Sequence, residues 1–179
     1  MVGYVSEAVA EAIRSWPALK KYNVVPIRAT EGDSVTVNTP LPAIAIHVMG
    51  DEGEGNTFFG GGIRQYFELQ LYCLLPAPNY TFTFDRSAQA DMLDLSDEAI
   101  RCLERTDKLD RLKIKHDLNL QFDRMETDTT YATTGANTVT IDVHKVIYKG
   151  SVEFDPYNDK EKRPTTDVTL EKVEIETKD

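Results

Sequence analysis

Apolar and polar residues alternate through Ile63–Leu75. Ile63, Phe67, Leu69, Leu71, Cys73 and Leu75 fall on one side, and Arg64, Tyr66, Glu68, Gln70 and Tyr72 on the other. A period of two over this length predicts a long strand with one buried face. Pro76 and Pro78 end it. Upstream, Pro40 and Pro42 bracket the entry to Ala43–Val48, whose unbroken apolar run predicts a compact buried strand. Asp51–Gly62 (DEGEGNTFFGGG) lies between the two and reads as an irregular loop, its glycines admitting backbone angles closed to other residues. Downstream, Tyr80, Phe82 and Phe84 alternate with Thr81 and Thr83 in a strand-like lip. Asp85 then opens a helix with Ala88, Met92, Leu95, Ala99 and Leu103 at helical spacing.

The flanks extend this pattern. Val2, Val5, Val9, Ile13 and Trp16 make one helical stripe, with Ala8 and Ala12 beside it and Ser6, Glu7, Ala10 and Arg14 opposite. Pro17 marks the end of that helix, because the residue before a proline avoids the helical region. Tyr22–Arg28 predicts a short strand that Pro26 confines to an edge. Glu31-Gly32-Asp33 predicts a turn and Ser34–Val37 a further short strand. Leu112, Ile114, Leu118, Leu120 and Phe122 alternate with polar residues and predict a half-buried strand. Thr-rich Glu126–Asn137 reads as a loop, and Val139, Ile141 and Val143 begin a strand that runs to Tyr148. The fold class expected is therefore α+β: a mainly antiparallel sheet with two amphipathic helices packed on one face.

Composition changes the picture at the C-terminus. Residues 1–154 read as the core domain, whereas 155–179 are polar and charged and read as an extended arm. Val168, Leu170, Val173 and Ile175 return there in a charged background. Such a segment either hugs the surface or adds a strand to its own sheet or to a neighbour's edge.

The chain has 179 residues, 41% of them hydrophobic and 28% charged, within the range of an ordinary globular domain. Its formal net charge of −10 disfavours a general nucleic-acid binder, which needs clustered Lys and Arg. No apolar run approaches the ~18–20 residues of a membrane span. The N-terminus lacks a basic region before its apolar positions and does not read as a signal peptide. Cys73 and Cys102 lie among apolar neighbours, as reduced buried thiols do, which fits synthesis in a reducing cytoplasm.

Catalytic and cofactor motifs are not recognised. His47, His116 and His144 each fall in a predicted strand, without a second ligand at zinc spacing. Gly60-Gly61-Gly62 precedes a strand rather than a helix, and no Gly-Lys-Ser/Thr follows it. The acidic run Asp51–Asn56 lacks the calcium-loop pattern. The expectation is a non-enzyme with no cofactor and no metal. Aromatics on connections, Phe58 and Phe59 in one loop and Tyr80, Phe82 and Phe84 in the other, are candidate interface anchors or caps on the core.

The order of parts resembles the tail terminator, or tail-completion, proteins of long-tailed bacteriophages. The resemblance rests on the N-terminal amphipathic helix, the strand Leu41-Pro42-Ala43-Ile44-Ala45-Ile46, the acidic glycine loop, and the long strand Arg64-Gln65-Tyr66-Phe67-Glu68-Leu69-Gln70-Leu71. It covers roughly Met1–Tyr148 and omits the Thr-rich loop and the arm. It implies a structural virion protein at the head-proximal end of the tail, a homo-oligomeric ring, as a hexamer, that caps the tail tube and forms the head-attachment surface. Its partners would be itself, the tail tube protein and a head-proximal connector, with DNA passing through the ring but no sequence-specific nucleic-acid contact and no membrane. Phe58, Phe59, Arg64, Tyr80, Phe82, Phe84, Val168 and Leu170 are then the candidate subunit and tube contacts. A head–tail connector or other neck component is the alternative within the same assembly. A small cytosolic enzyme or ligand-binding domain is the alternative from another class.

Overall fold

The computed structural model describes residues 2–27, 40–50, 57–59, 62–76, 86–134 and 137–154. In chain order they form α1 (Val2–Ser15), a 3-10 turn (Pro17–Leu19), β1 (Asn23–Ile27), β2 (Ala43–Gly50), β3 (Thr57–Phe59), β4 (Gly62–Pro76), α2 (Arg86–Arg105), α3 (Asp110–His116), β5 (Asn119–Thr134) and β6 (Asn137–Phe154). The fold is α+β, as the pattern predicts. The sheet runs β1-β2-β4-β6-β5, with β3 pairing β4 beyond the end of β2. Only β1 and β2 are parallel; the other pairs are antiparallel.

Register sorts the strands into two faces. Phe67, Leu69, Leu71 and Cys73 of β4 stand on the same face as Val48, Ile46 and Ile44 of β2 and Tyr148 and Val146 of β6. This face packs with Val5, Val9, Ala12 and Ile13 of α1 and Met92, Leu95, Ala99, Cys102 and Leu103 of α2 into the main core. The α1 stripe is thus the predicted one, widened by Ala10, which is fully buried rather than solvent-facing. Trp16 ties the two helices together: its Nε1 donates to Glu98 Oε2 at 2.9 Å and helps hold that carboxyl below the usual range. Gly150 of β6 faces Phe67 on this side, and a Cβ there would come within 2.4 Å of the Phe67 ring.

Three expectations are corrected. Leu112 and Ile114 belong to a short helix, not a strand: residues two apart on a helix point to opposite sides, so Leu112 packs against the core while Ile114 stands 87% exposed. Asp117, with φ of 44°, ends that helix in the left-handed region and turns the chain into β5. The Thr-rich segment expected as a loop is strand: β5 runs through Thr134 and pairs with β6 up to Asn137. The Asp51–Gly62 loop is interrupted by β3, whose Thr57, Phe58 and Phe59 pair with Arg64, Ile63 and Gly62. The expected strand Ser34–Val37, the lip at Tyr80–Phe84 and the arm 155–179 lie outside the described residues.

Candidate interaction surface

The sheet's second face carries no described helix. Register places Ala43, Ala45, His47 and Met49 of β2 there, with Arg64, Tyr66, Glu68, Gln70, Tyr72 and Leu74 of β4 and Ile141, Val143, Lys145, Ile147 and Lys149 of β6. One end is apolar: Ala43, Ala45, Leu74, Ile141 and Val143 form a small second cluster with Ile27, Leu41 and Tyr72 against it. The middle is polar. Tyr72 donates its hydroxyl to Gln70 Oε1 at 2.5 Å, and the Gln70 amide donates to Glu68. Lys145 Nζ stands 5.6 Å from the centre of the Tyr72 ring and 3.8 Å from Glu126 Oε2 on β5. His47 lies opposite Gln70 in the ladder, and burial pushes its imidazole below the ordinary value.

Arg64 is the one candidate contact residue whose side chain is described. It bonds Asp117 after α3 and, at 3.2 Å, Glu153 of β6. It therefore ties the start of β4 to two other elements, with 31% of its side chain still exposed. Phe58 and Phe59 sit on β3 beside it. Tyr80, Phe82, Phe84, Val168 and Leu170 lie outside the described residues.

The two edges of the sheet differ in kind. Asn23 donates its N–H to the Pro42 carbonyl at 3.2 Å, so residues 23, 25 and 27 of β1 turn their backbone groups toward β2. Val24 and Pro26 then turn outward. The Val24 carbonyl accepts from Arg14 Nη2 at 2.9 Å, and Pro26 has no N–H to offer. That edge is short, and among the described residues it offers one donor, the Val24 N–H. At the other side, β5 is sixteen residues long, and among the described residues no strand pairs with its outer side. Residues 121–128 are all exposed, including Phe122 at 42% and Met125 at 38%. A bulge at Asp123 and the charges of Asp123, Arg124 and Glu126 blunt this edge, the usual protection against indiscriminate pairing. The ribbon also overhangs: β4 and β6 last pair at Pro76 and Ile141, whereas β5 and β6 continue through Tyr131–Thr140 to Thr134–Asn137.

Chemistry-bearing groups are not convergent. Among the described residues no three His, Cys, Asp or Glu side chains are grouped to hold a metal ion. Burial pushes the Cys73 thiol to about 12 and the Cys102 thiol to about 11, so neither is a thiolate near neutral pH. Ser96 Oγ lies 3.1 Å from His144 Nδ1, among the described residues the one pairing that suggests a nucleophile and base. Ser96 is fully buried, however, and donates to the Met92 carbonyl at 2.8 Å, so its proton is engaged in its own helix. The pair fastens α2 to β6. A cleft of about 340 Å³ opens where β2 begins and β4 ends, with Lys21, Tyr22, Pro42, Leu75, Asp91 and Asp142 in its wall. Among the described residues no helix is long and apolar enough to cross a membrane.

The surface features that sequence reasoning missed are the β5 edge and the overhang. Their signal was the Thr run 127–134, which favours strand but has no apolar face to give it a period.

Comparison with known proteins assigns no family: no family model matches this chain, and no curated protein matches it either. Among the solved structures that are similar, one has 13% identity over 86% of this chain and 94% of that chain, with a TM-score of 0.33, a likeness that carries no argument.

Proposed function

We propose that this chain is a structural virion protein that closes into a homo-oligomeric ring, the tail terminator that caps a phage tail tube and offers the surface for head attachment. The observation that carries the reading is the unlikeness of the two sheet edges among the described residues, one short and interrupted by Pro26 at β1, one long and open at β5. A closed ring needs two different patches on each subunit, joined head to tail. The overhanging β5–β6 ribbon adds further contact surface, and the order of parts resembles that family. Arg64, Phe58 and Phe59 sit together where β3 meets β4, a position suited to a neighbour or to the tube.

Native mass spectrometry of the full chain, alone and with tail tube protein, tests the ring. A closed multiple of the subunit is the expected result, and a strict monomer under every condition overturns it. Electron micrographs of particles made without the protein separate the terminator from another neck component: overlong or unjoined tails are expected of a terminator. The Lys21–Asp142 cleft favours a second reading, a ligand-binding domain. Saturable binding of a small metabolite there, with no assembly, would support that reading instead.

A further inference from the structure

We propose that the segment Asp167–Glu176 of a neighbouring copy docks as an antiparallel strand along the outer edge of β5. This rests on the ring reading above and names the contact that would close it.

Three observations carry the proposal. The first is the open edge itself, with Phe122 and Met125 exposed on the helix-side face beyond the reach of α1 and α2. A strand laid alongside would cover both and extend the apolar face by one strand. The second is spacing. On β5, Leu120 and Phe122 are two apart, but the bulge at Asp123 puts the next residue of that face, Met125, three further on. In the segment, Val168 and Leu170 are two apart, Val173 is three further on and Ile175 two beyond it. A strand that follows a bulged edge residue for residue needs its own extra residue at the same point. The segment has it at Glu171-Lys172, so Ile175, Val173 and Leu170 meet Leu120, Phe122 and Met125.

The third is charge, which selects the direction. The spacing reads the same both ways. Laid parallel, Glu174 faces Glu126 and Glu176 faces Asp128, and like charges directly opposite are destabilising. The parallel register also sets Glu171 against Asp123 and Lys172 against Arg124; laid antiparallel, Lys172 faces Asp123, Glu171 faces Arg124 and Glu174 faces Gln121, and the one like-charge pair is Asp167 with Asp128 at the segment's end. In this direction the segment enters beside Thr127 and leaves beside Asn119. The chain it would belong to leaves β6 at Phe154, near Asn119. To reach its own β5 it would first have to double back along the sheet through residues 155–166, a return that a segment arriving from a head-to-tail neighbour would not need.

Disulfide trapping in the full chain tests this. Opposed residues on adjacent strands stand about 4.5–5.5 Å apart at Cβ, close enough for a disulfide after small shifts. Native Cys73 and Cys102 are buried and stay silent under mild oxidation. The double variant Met125→Cys, Leu170→Cys is expected to give a ladder of linked subunits on a non-reducing gel. Met125→Cys with Thr169→Cys, whose thiols would face opposite sides, is expected to lose it. Equal ladders from both variants, or a link confined within single chains, overturn the docking. No ladder from an assembly whose native mass remains that of a ring overturns the docking and leaves the ring standing. A ladder from an assembly with no closed species keeps the docking and overturns the ring.

Discussion

Leu71 and Tyr72 are neighbours on β4 and point to opposite faces of the sheet, and the two faces are held by different forces. Leu71 stands with Ile46 and Val146 beneath two helices, in a core of aliphatic side chains. Tyr72 stands with Ala45 and Lys145, held by one hydroxyl bond and a cation above its ring. Packing on the first face is cooperative and dry. Around Tyr72 on the second face, polar pairing is local and each bond contributes little net stability, beside a smaller buried apolar cluster. The fold can therefore leave the exposed β5 edge to outside contacts without undermining itself.

The largest expected effect tests that contrast directly. Leu71→Ala should cost about 2–5 kcal/mol of unfolding free energy through lost burial and the cavity left behind, whereas Tyr72→Phe should cost about 1 kcal/mol or less. Chemical denaturation of both variants checks it, and comparable losses would break the distinction between the faces. Gly150→Ala comes next, at about 1–3 kcal/mol, because the added methyl is forced into the Phe67 ring, itself buried in the core. An unchanged denaturation midpoint would mean that Phe67 moves aside freely.

Arg64→Met should lower Tm by less than Gly150→Ala, since its carboxylate partners are reached across solvent-exposed surface. A drop as large as that for Leu71→Ala would make Arg64 part of the core framework rather than a surface tie. The smallest effect is that of pH. Burial holds the His47 and His144 imidazoles below the ordinary value of 6.5. The unfolded chain then takes up protons before the folded one as pH falls below 6.5. Stability from the neutral rings is complete above that point and declines beneath it. Tm should fall on acidification through this window, and less steeply in His47→Asn or His144→Asn. A Tm that rises there would show that both rings are charged in the fold.

The helix-covered face was legible in the sequence because burial imposes a period, two on β4 and three to four on α1 and α2. The regions that misled have no such face. β5 alternates only at its start, through Leu120 and Phe122, where the pattern does mark a strand; residues 123–128 are exposed with no apolar period, and their pairing to β6 decides their state. α3 carries Leu112 and Ile114 at strand-like spacing, but with Ile114 in solvent the alternation records no buried face. β3 is three residues among glycines, too short to show a period. The sequence marks Arg64 as a candidate contact residue; that it also bridges Asp117 and Glu153 depends on the left-handed turn at Asp117, which places that carboxylate beside β4.

The eighteen residues of β6 are paired on both sides over most of their length. This gives the molecule a mechanical axis. A pull along β6 is shared in shear by two ladders of hydrogen bonds at once, while a pull across the overhanging tip opens the β5–β6 ribbon one pair at a time. The protein should be stiff along the strands and compliant at the tip, so load applied to one end of β6 reaches the other with little loss.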